Sequence, residues 1–149
     1  MQSRSSNAPS IPWARIAAYG FLLNMLWEFG QCGFLYDMWN WGFWRGSAWM
    51  WGAIVGDVGI VLGVATMTRL AAGDKALISA SVREWTVLLA VGFVAGVLLE
   101  WLAKVLGLWA YTELMPTITL FGHTVGLSPI VQITVLPALS VAVATRNRD

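Results

Sequence analysis

The sequence predicts an all-α integral membrane protein, a bundle of four transmembrane helices with both termini on the cytoplasmic side. Three observations carry this expectation. The first is composition: 58% of the 149 residues are hydrophobic and 11% charged, with a mean hydropathy of +0.66, whereas soluble domains carry roughly a quarter charged residues. The second is a series of four apolar segments, each near the roughly 20 residues a helix needs to cross about 30 Å of hydrocarbon. The third is an uneven distribution of lysine and arginine around those segments.

Residues 1–12, rich in Ser, Asn and Pro, read as a polar N-terminal tail. Residues 13–149 then form a single transmembrane domain, since the length leaves room for one. The segments run from about Trp13 to Trp39, Trp49 to Leu70, Trp85 to Trp109, and Val125 to Ala144. Backbone groups must be satisfied within the segment in lipid, so each is expected to be a helix. The first is too long for a cleaved signal peptide. Of nine Lys and Arg residues, Arg4, Arg15, Arg69, Lys75, Arg83, Arg146 and Arg148 fall on the side of the termini, while Arg45 and Lys104 fall on the other. That makes the terminal side cytoplasmic and the protein a multi-pass resident of the inner (cytoplasmic) membrane.

The balance of composition excludes several classes. A net charge of +1 gives no electrostatic support to a nucleic-acid partner. Cys32, the single cysteine, makes no internal disulfide. No metal-ligand spacing, phosphate loop, dinucleotide fingerprint or nucleophile elbow is present, so no metal and no cofactor are expected.

Ionisable residues within a membrane are costly and mark function. At about 1.5 Å per residue, Glu28, Asp57, Glu100 and Gln132 lie roughly 22, 20, 22 and 18 Å from the cytoplasmic ends of their segments. One polar side chain per helix therefore meets at one level in the outer half of the bilayer. Asn24, Glu28, Gln31 and Cys32 share a stripe on the first helix. On the second, Gly52, Gly56, Gly59 and Gly63 make a groove for close helix approach, with Asp57 beside it. On the third, Gly92, Gly96, Glu100 and Lys104 share a face that should point Glu100 into the bundle. Pro129 is expected to open the fourth helix near its outer end.

Of the ten tryptophans, only Trp13 and Trp85 lie at the cytoplasmic boundary. Trp27 and Trp101 directly precede or follow a buried carboxyl in sequence. The candidate catalytic residues are Glu28, Asp57 and Glu100, and the candidate substrate-binding residues Asn24, Trp27, Gln31, Trp101, Trp109, Tyr111 and Gln132. Structural alternatives stand beside these roles. Lys104, one turn after Glu100, would neutralise it as an ion pair. Glu28 and Asp57 would join helices through hydrogen bonds. His123 would be a solvated loop residue, and the glycine stripes packing surfaces.

The stretch Asn24-Met25-Leu26-Trp27-Glu28, with Asp57 on the next helix, resembles the opening of the integral-membrane terpene cyclases over about a third of the chain. That resemblance implies acid-initiated cyclisation of a prenyl chain, with Glu28 the proton donor or its partner and Asp57 a supporting acid. Those cyclases have more helices and a second acid late in the chain, a place only Glu100 could fill here. Glu100-Trp101, Trp109-Ala110-Tyr111, Met115-Pro116, Gly126-Leu127-Ser128-Pro129, Gln132 and Pro137 resemble a group of small bacterial four-helix membrane proteins. That likeness implies the fold and adds no mechanism.

Three functions follow as expectations. The first is a membrane-embedded isomerase or lyase, or a binding protein, for an isoprenoid-like lipid. A buried carboxylic acid can act as general acid, and tryptophan faces stabilise developing cations. The second is a small proton-coupled transporter. The third is an accessory subunit of a larger membrane complex; a homodimer, as expected for the transporter, or such a complex would dock through Gly52, Gly56, Gly92 and Gly96.

Overall fold

The computed structural model describes residues 10–38, 40–73, 77–78 and 81–146. Among these residues are four helices: α1 (Trp13–Cys32), α2 (Phe43–Ala72), α3 (Val82–Val105) and α4 (Leu127–Arg146). A two-stranded antiparallel ribbon, β1 (Thr117–Leu120) and β2 (His123–Gly126), separates α3 from α4. The tail through residue 9, Trp39, Lys75 and Arg148 lie outside the described residues.

Three of the helices, α2, α3 and α4, are long and apolar enough to cross a membrane. The surface is built for an apolar solvent. Leu26, Leu70 and Val82 are 69%, 74% and 83% exposed, while Asn24, Glu28, Gln31, Glu100 and Gln132 are at most 5% exposed. In water this distribution would forfeit burial of the leucines and desolvate the carboxyls. The buried face of α1 explains why it falls short on hydropathy. Ile16, Gly20, Asn24, Glu28 and Gln31 recur at four- and three-residue steps and face inward.

The first helix ends at Cys32, not near Trp39. Beyond it the chain turns, with the Leu35 N–H on the Gln31 carbonyl at 2.7 Å, and Tyr36 then bridges to Tyr111. At its start α3 is set by Glu84, whose side chain accepts from the Ser81 backbone N–H as in a capping box. The ribbon turns through Phe121 and Gly122, both at positive φ (48° and 80°), the geometry that suits the twist of a two-residue hairpin. Pro129 does not open α4. It is the third residue of the helix, where its missing N–H is one of the groups without an intrahelical partner anyway.

Two kinds of interior divide the bundle. Ile16, Val61, Val64, Ala65, Leu88, Val141 and Ala144 pack into an apolar core at one end. The hydroxyls buried near it, Thr68 and Ser140, donate to their own helix, to Val64 O and Leu136 O at 2.8 and 2.7 Å. The polar side chains of α1 and α4 gather at the other end.

The glycine stripes have opposite fates. Gly92 and Gly96 are buried against α4 of the same chain. A Cβ on Gly92 would lie 2.7 Å from the Ile133 carbonyl oxygen. That carbonyl has lost its ordinary partner, because Pro137, four residues on, has no N–H. Proline and glycine together let the two backbones meet. The stripe on α2 has no such partner: Gly52, Gly56, Gly59 and Gly63 have nothing within 4 Å of a built Cβ. The expected groove is therefore an outward face, and of the four glycines proposed for docking, Gly92 and Gly96 are already used within the chain.

A Gly92→Ala variant should lose about 2 kcal/mol, the usual range for overpacking. Gly56→Ala should be neutral or slightly stabilising, as alanine favours helix and meets nothing there. Thermal unfolding of the two variants in detergent checks this; equal shifts would contradict the packing described.

Candidate functional site

The inward stripe of α1 meets Asp57 of α2 and Gln132 of α4 in one hydrogen-bonded cluster. Gln132 is its hub. Its Nε2 lies 3.0 Å from Asn24 Oδ1, 2.8 Å from Glu28 Oε1 and 2.9 Å from Asp57 Oδ2. Its Oε1 accepts from Gln31 Nε2 at 2.8 Å. Gln31 also donates to Glu28 Oε1 at 2.8 Å, and its own Oε1 accepts from the Trp27 indole at 3.0 Å and from Ser128 Oγ at 2.9 Å. Cys32 donates its thiol proton to Glu28 Oε2 at 3.1 Å. Asn24 closes the far end, donating to Gly20 O at 2.8 Å.

The periodicity of α1 is what delivers three of these groups to one side, and Gln132 reaches them because the buried face of α4 includes Pro129, Gln132, Ile133 and Leu136. Two carboxyls, Glu28 and Asp57, thus share one amide. An amide nitrogen has two hydrogens, and three acceptor oxygens surround this one.

Glu100 stands apart from that cluster. It accepts from the Tyr111 hydroxyl through Oε1, and Gly126 N lies 3.4 Å from the same oxygen and 3.0 Å from the Tyr111 hydroxyl. Gly126 is closely enclosed: a Cβ would sit 3.1 Å from the Met115 sulfur and 3.3 Å from the Tyr111 ring, so these neighbours would have to give by a few tenths of an ångström. Glu100 therefore ties the ribbon and the connection before it onto α3. The expected ion pair with Lys104 is not formed. The Lys104 ammonium donates to Trp109 O at 3.1 Å and lies 4.1 Å from the Tyr111 ring centroid, a cation–π contact.

The cluster and Glu100 face the same cavity, of about 240 Å³. Glu28, Gln31, Asp57, Glu100, Trp109 and Gln132, all marked by the sequence, line it. Its apolar wall comes mostly from α2 and α3, including Trp49, Ala53, Ile60, Leu99, Leu102 and Leu106. Tyr36 and Met38 line it too, brought there by strand-like pairing of the two connections. Asp37 N donates to Ala110 O at 3.1 Å, and Thr112 N to Leu35 O at 3.0 Å. Trp109 packs edge-to-face on Tyr36. Its buried indole N–H makes no hydrogen bond.

Asn24, Trp27, Trp101 and Tyr111 lie outside the cavity wall. Asn24 and Trp27 support the amides behind it, and Tyr111 supports Glu100. Trp101 packs edge-to-face on His123, which lies in β2 and is half-buried, not in a solvated loop. The cavity residues that sequence reasoning passed over as site candidates include Cys32, Tyr36, Met38 and Trp49. For Cys32 the signal was present, since it continues the polar stripe of α1. A second cavity of about 260 Å³ between α1 and the start of α2 shares Cys32 and Met38 with the first.

Comparison of the chain with protein-family models, with curated proteins and with solved structures finds no match.

Proposed function

We propose that the chain is a multi-pass protein of a bacterial inner membrane, with α1 as a fourth span and both termini cytoplasmic, that binds an isoprenoid-like lipid in the cavity and delivers a proton to it. The observation that carries this reading is the junction of two unlike surfaces: a buried carboxyl pair held by amides opens on an otherwise apolar cavity walled by α2 and α3. A lipid reaching that wall from the bilayer meets an acid shielded from water, where proton transfer to an alkene or epoxide faces no competing solvent.

The roles divide by hydrogen bonding. Glu28 receives three donors, from Gln31, Gln132 and Cys32, and Asp57 receives one, from Gln132. Glu28 is thus the more firmly held of the two carboxyls, and the transferable proton is assigned to Asp57. Trp49, Trp109 and Tyr36 offer aromatic surface for positive charge developing on carbon. Glu100, fastened to Tyr111 and Gly126, shapes the cavity from the ribbon side. The apolar core at the other end of the bundle favours this reading over a proton-coupled transporter, whose path would have to continue through it.

Organic extraction of the purified protein followed by mass spectrometry tests the reading. The expected result is a co-purifying polyprenyl compound, depleted in the Asp57→Asn variant or replaced there by unconverted precursor. Protein that is reproducibly empty and binds no added isoprenoid would count against it.

A further inference from the structure

We infer that the polar end of the ligand is a hydrogen-bond donor carrying positive charge, so that the cavity takes a lipid-soluble amine in preference to a neutral or anionic lipid. This rests on the reading that the cavity is a site for an apolar molecule. What it adds is the chemistry of the head.

The first ground is an inventory of donors. Both hydrogens of the Gln31 amide are occupied, on Glu28 and on Gln132. Those of Gln132 are shared among three oxygens. The Cys32 thiol is on Glu28, and the Trp109 indole N–H, buried without a hydrogen-bond partner, is left as an unfilled donor outside the cluster. An incoming carbonyl, carboxylate or phosphate would therefore find no amide hydrogen free in the cluster. Carboxyl oxygens are another matter. Glu28, Asp57 and Glu100 present six between them, more than the donors around them fill.

The second ground is charge. No Lys, Arg or His lines the cavity among the described residues. Lys104 is held over Tyr111 and on Trp109 O. Arg45 lies with its guanidinium carbon 4.2 Å from the Trp41 ring centroid. A buried carboxylate without a counter-ion is strongly unfavourable, and a ligand that supplies one gains the pairing energy. A diphosphate would bring like charge into the same space.

The third ground is the wall. Trp49, Trp109 and Tyr36 give an ammonium aromatic faces. A cavity of about 240 Å³ holds a head and a short stretch of chain. Leu99 and Leu102 of α3, and Leu106 just past its end, line the cavity and are also exposed at the protein surface, which gives the remaining tail a way out beside α3.

A matched pair of probes tests this: farnesylamine and farnesol, which share a tail, titrated onto the full chain in a neutral maltoside detergent and followed by tryptophan fluorescence. Farnesylamine is expected to bind at least tenfold more tightly than farnesol. Asp57→Asn, and separately Glu28→Gln, should reduce that preference to within about twofold while farnesol still binds, which also certifies that each variant is folded. Equal affinity for the two probes in the parent protein would overturn the inference and leave the isoprenoid site standing. A preference for the amine that survives both substitutions would also overturn it, by placing the amine elsewhere. Binding of neither probe would remove both the inference and the reading beneath it.

Discussion

Replacing Gln132 with leucine should be the most destabilising single change in the bundle, on the order of 3–5 kcal/mol, with loss of ligand binding. The residue makes four polar contacts across three helices: its two amide hydrogens are shared among Asn24, Glu28 and Asp57, and its Oε1 accepts from Gln31. Side-chain hydrogen bonds between membrane helices average about 0.6 kcal/mol and reach about 1.7. The larger part of the cost lies in what is left behind. Glu28 and Asp57 lose a shared donor at a buried site, and stranding a buried charge costs several kcal/mol. Leucine fills similar space, so an empty cavity is not the cause. Ser140→Ala isolates the difference. Ser140 is fully buried on the same helix, but its hydroxyl bonds only to Leu136 O, and its removal should cost about 1 kcal/mol or less. Equilibrium unfolding of both variants in mixed micelles measures the gap. If Gln132→Leu proves no worse than Ser140→Ala, the cluster does not hold the helices together.

That hub was legible in the sequence because helical periodicity is a local property. Asn24, Glu28 and Gln31 recur on one face of α1 whatever surrounds them. Counting residues from the end of each segment expected to be cytoplasmic placed Glu28, Asp57, Glu100 and Gln132 at one level. The structure brings all four to one cavity, yet hydrogen-bonds only three of them together. Glu100 departs because its partners, Tyr111 and Gly126, are positioned by the connection and ribbon between α3 and α4. Nothing local announced that ribbon: its turn is Phe121-Gly122, with no Asn or Asp in the place where two-residue hairpins favour them. The pairing of Tyr36 with Tyr111, which carries Met38 to the cavity, is likewise set by distant residues. The glycine stripes show the same boundary from another side. Spacing on α2 and α3 is equally suited to close approach, but only α3 faces a helix with a proline-freed carbonyl. A small-residue face says that two backbones can meet and is silent about which.

The second large effect is on turnover and separates the two acids. Asp57→Asn should lower conversion of a linear isoprenoid by about 100- to 10,000-fold, the usual worth of a general acid, with little change in stability. Asparagine matches the shape of aspartic acid, and its Oδ1 can still accept from Gln132. It cannot give up a proton. Glu28→Gln should cost both activity and stability. Glu28 accepts from Gln31, Gln132 and Cys32, and glutamine in its place must set an amide nitrogen against at least one of those donors, a contact that no rotation of the amide removes. The measurement pairs product formation, read by mass spectrometry from membranes supplied with substrate, with unfolding of the same purified variants. Asp57→Glu adds a control: it restores the proton at a shifted position and should recover part of the activity. An Asp57→Asn variant that keeps turnover within tenfold of the parent would exclude Asp57 as the acid. If Glu28→Gln then proved inactive yet fully stable, the proton would belong to Glu28 and the division by donor number would be reversed.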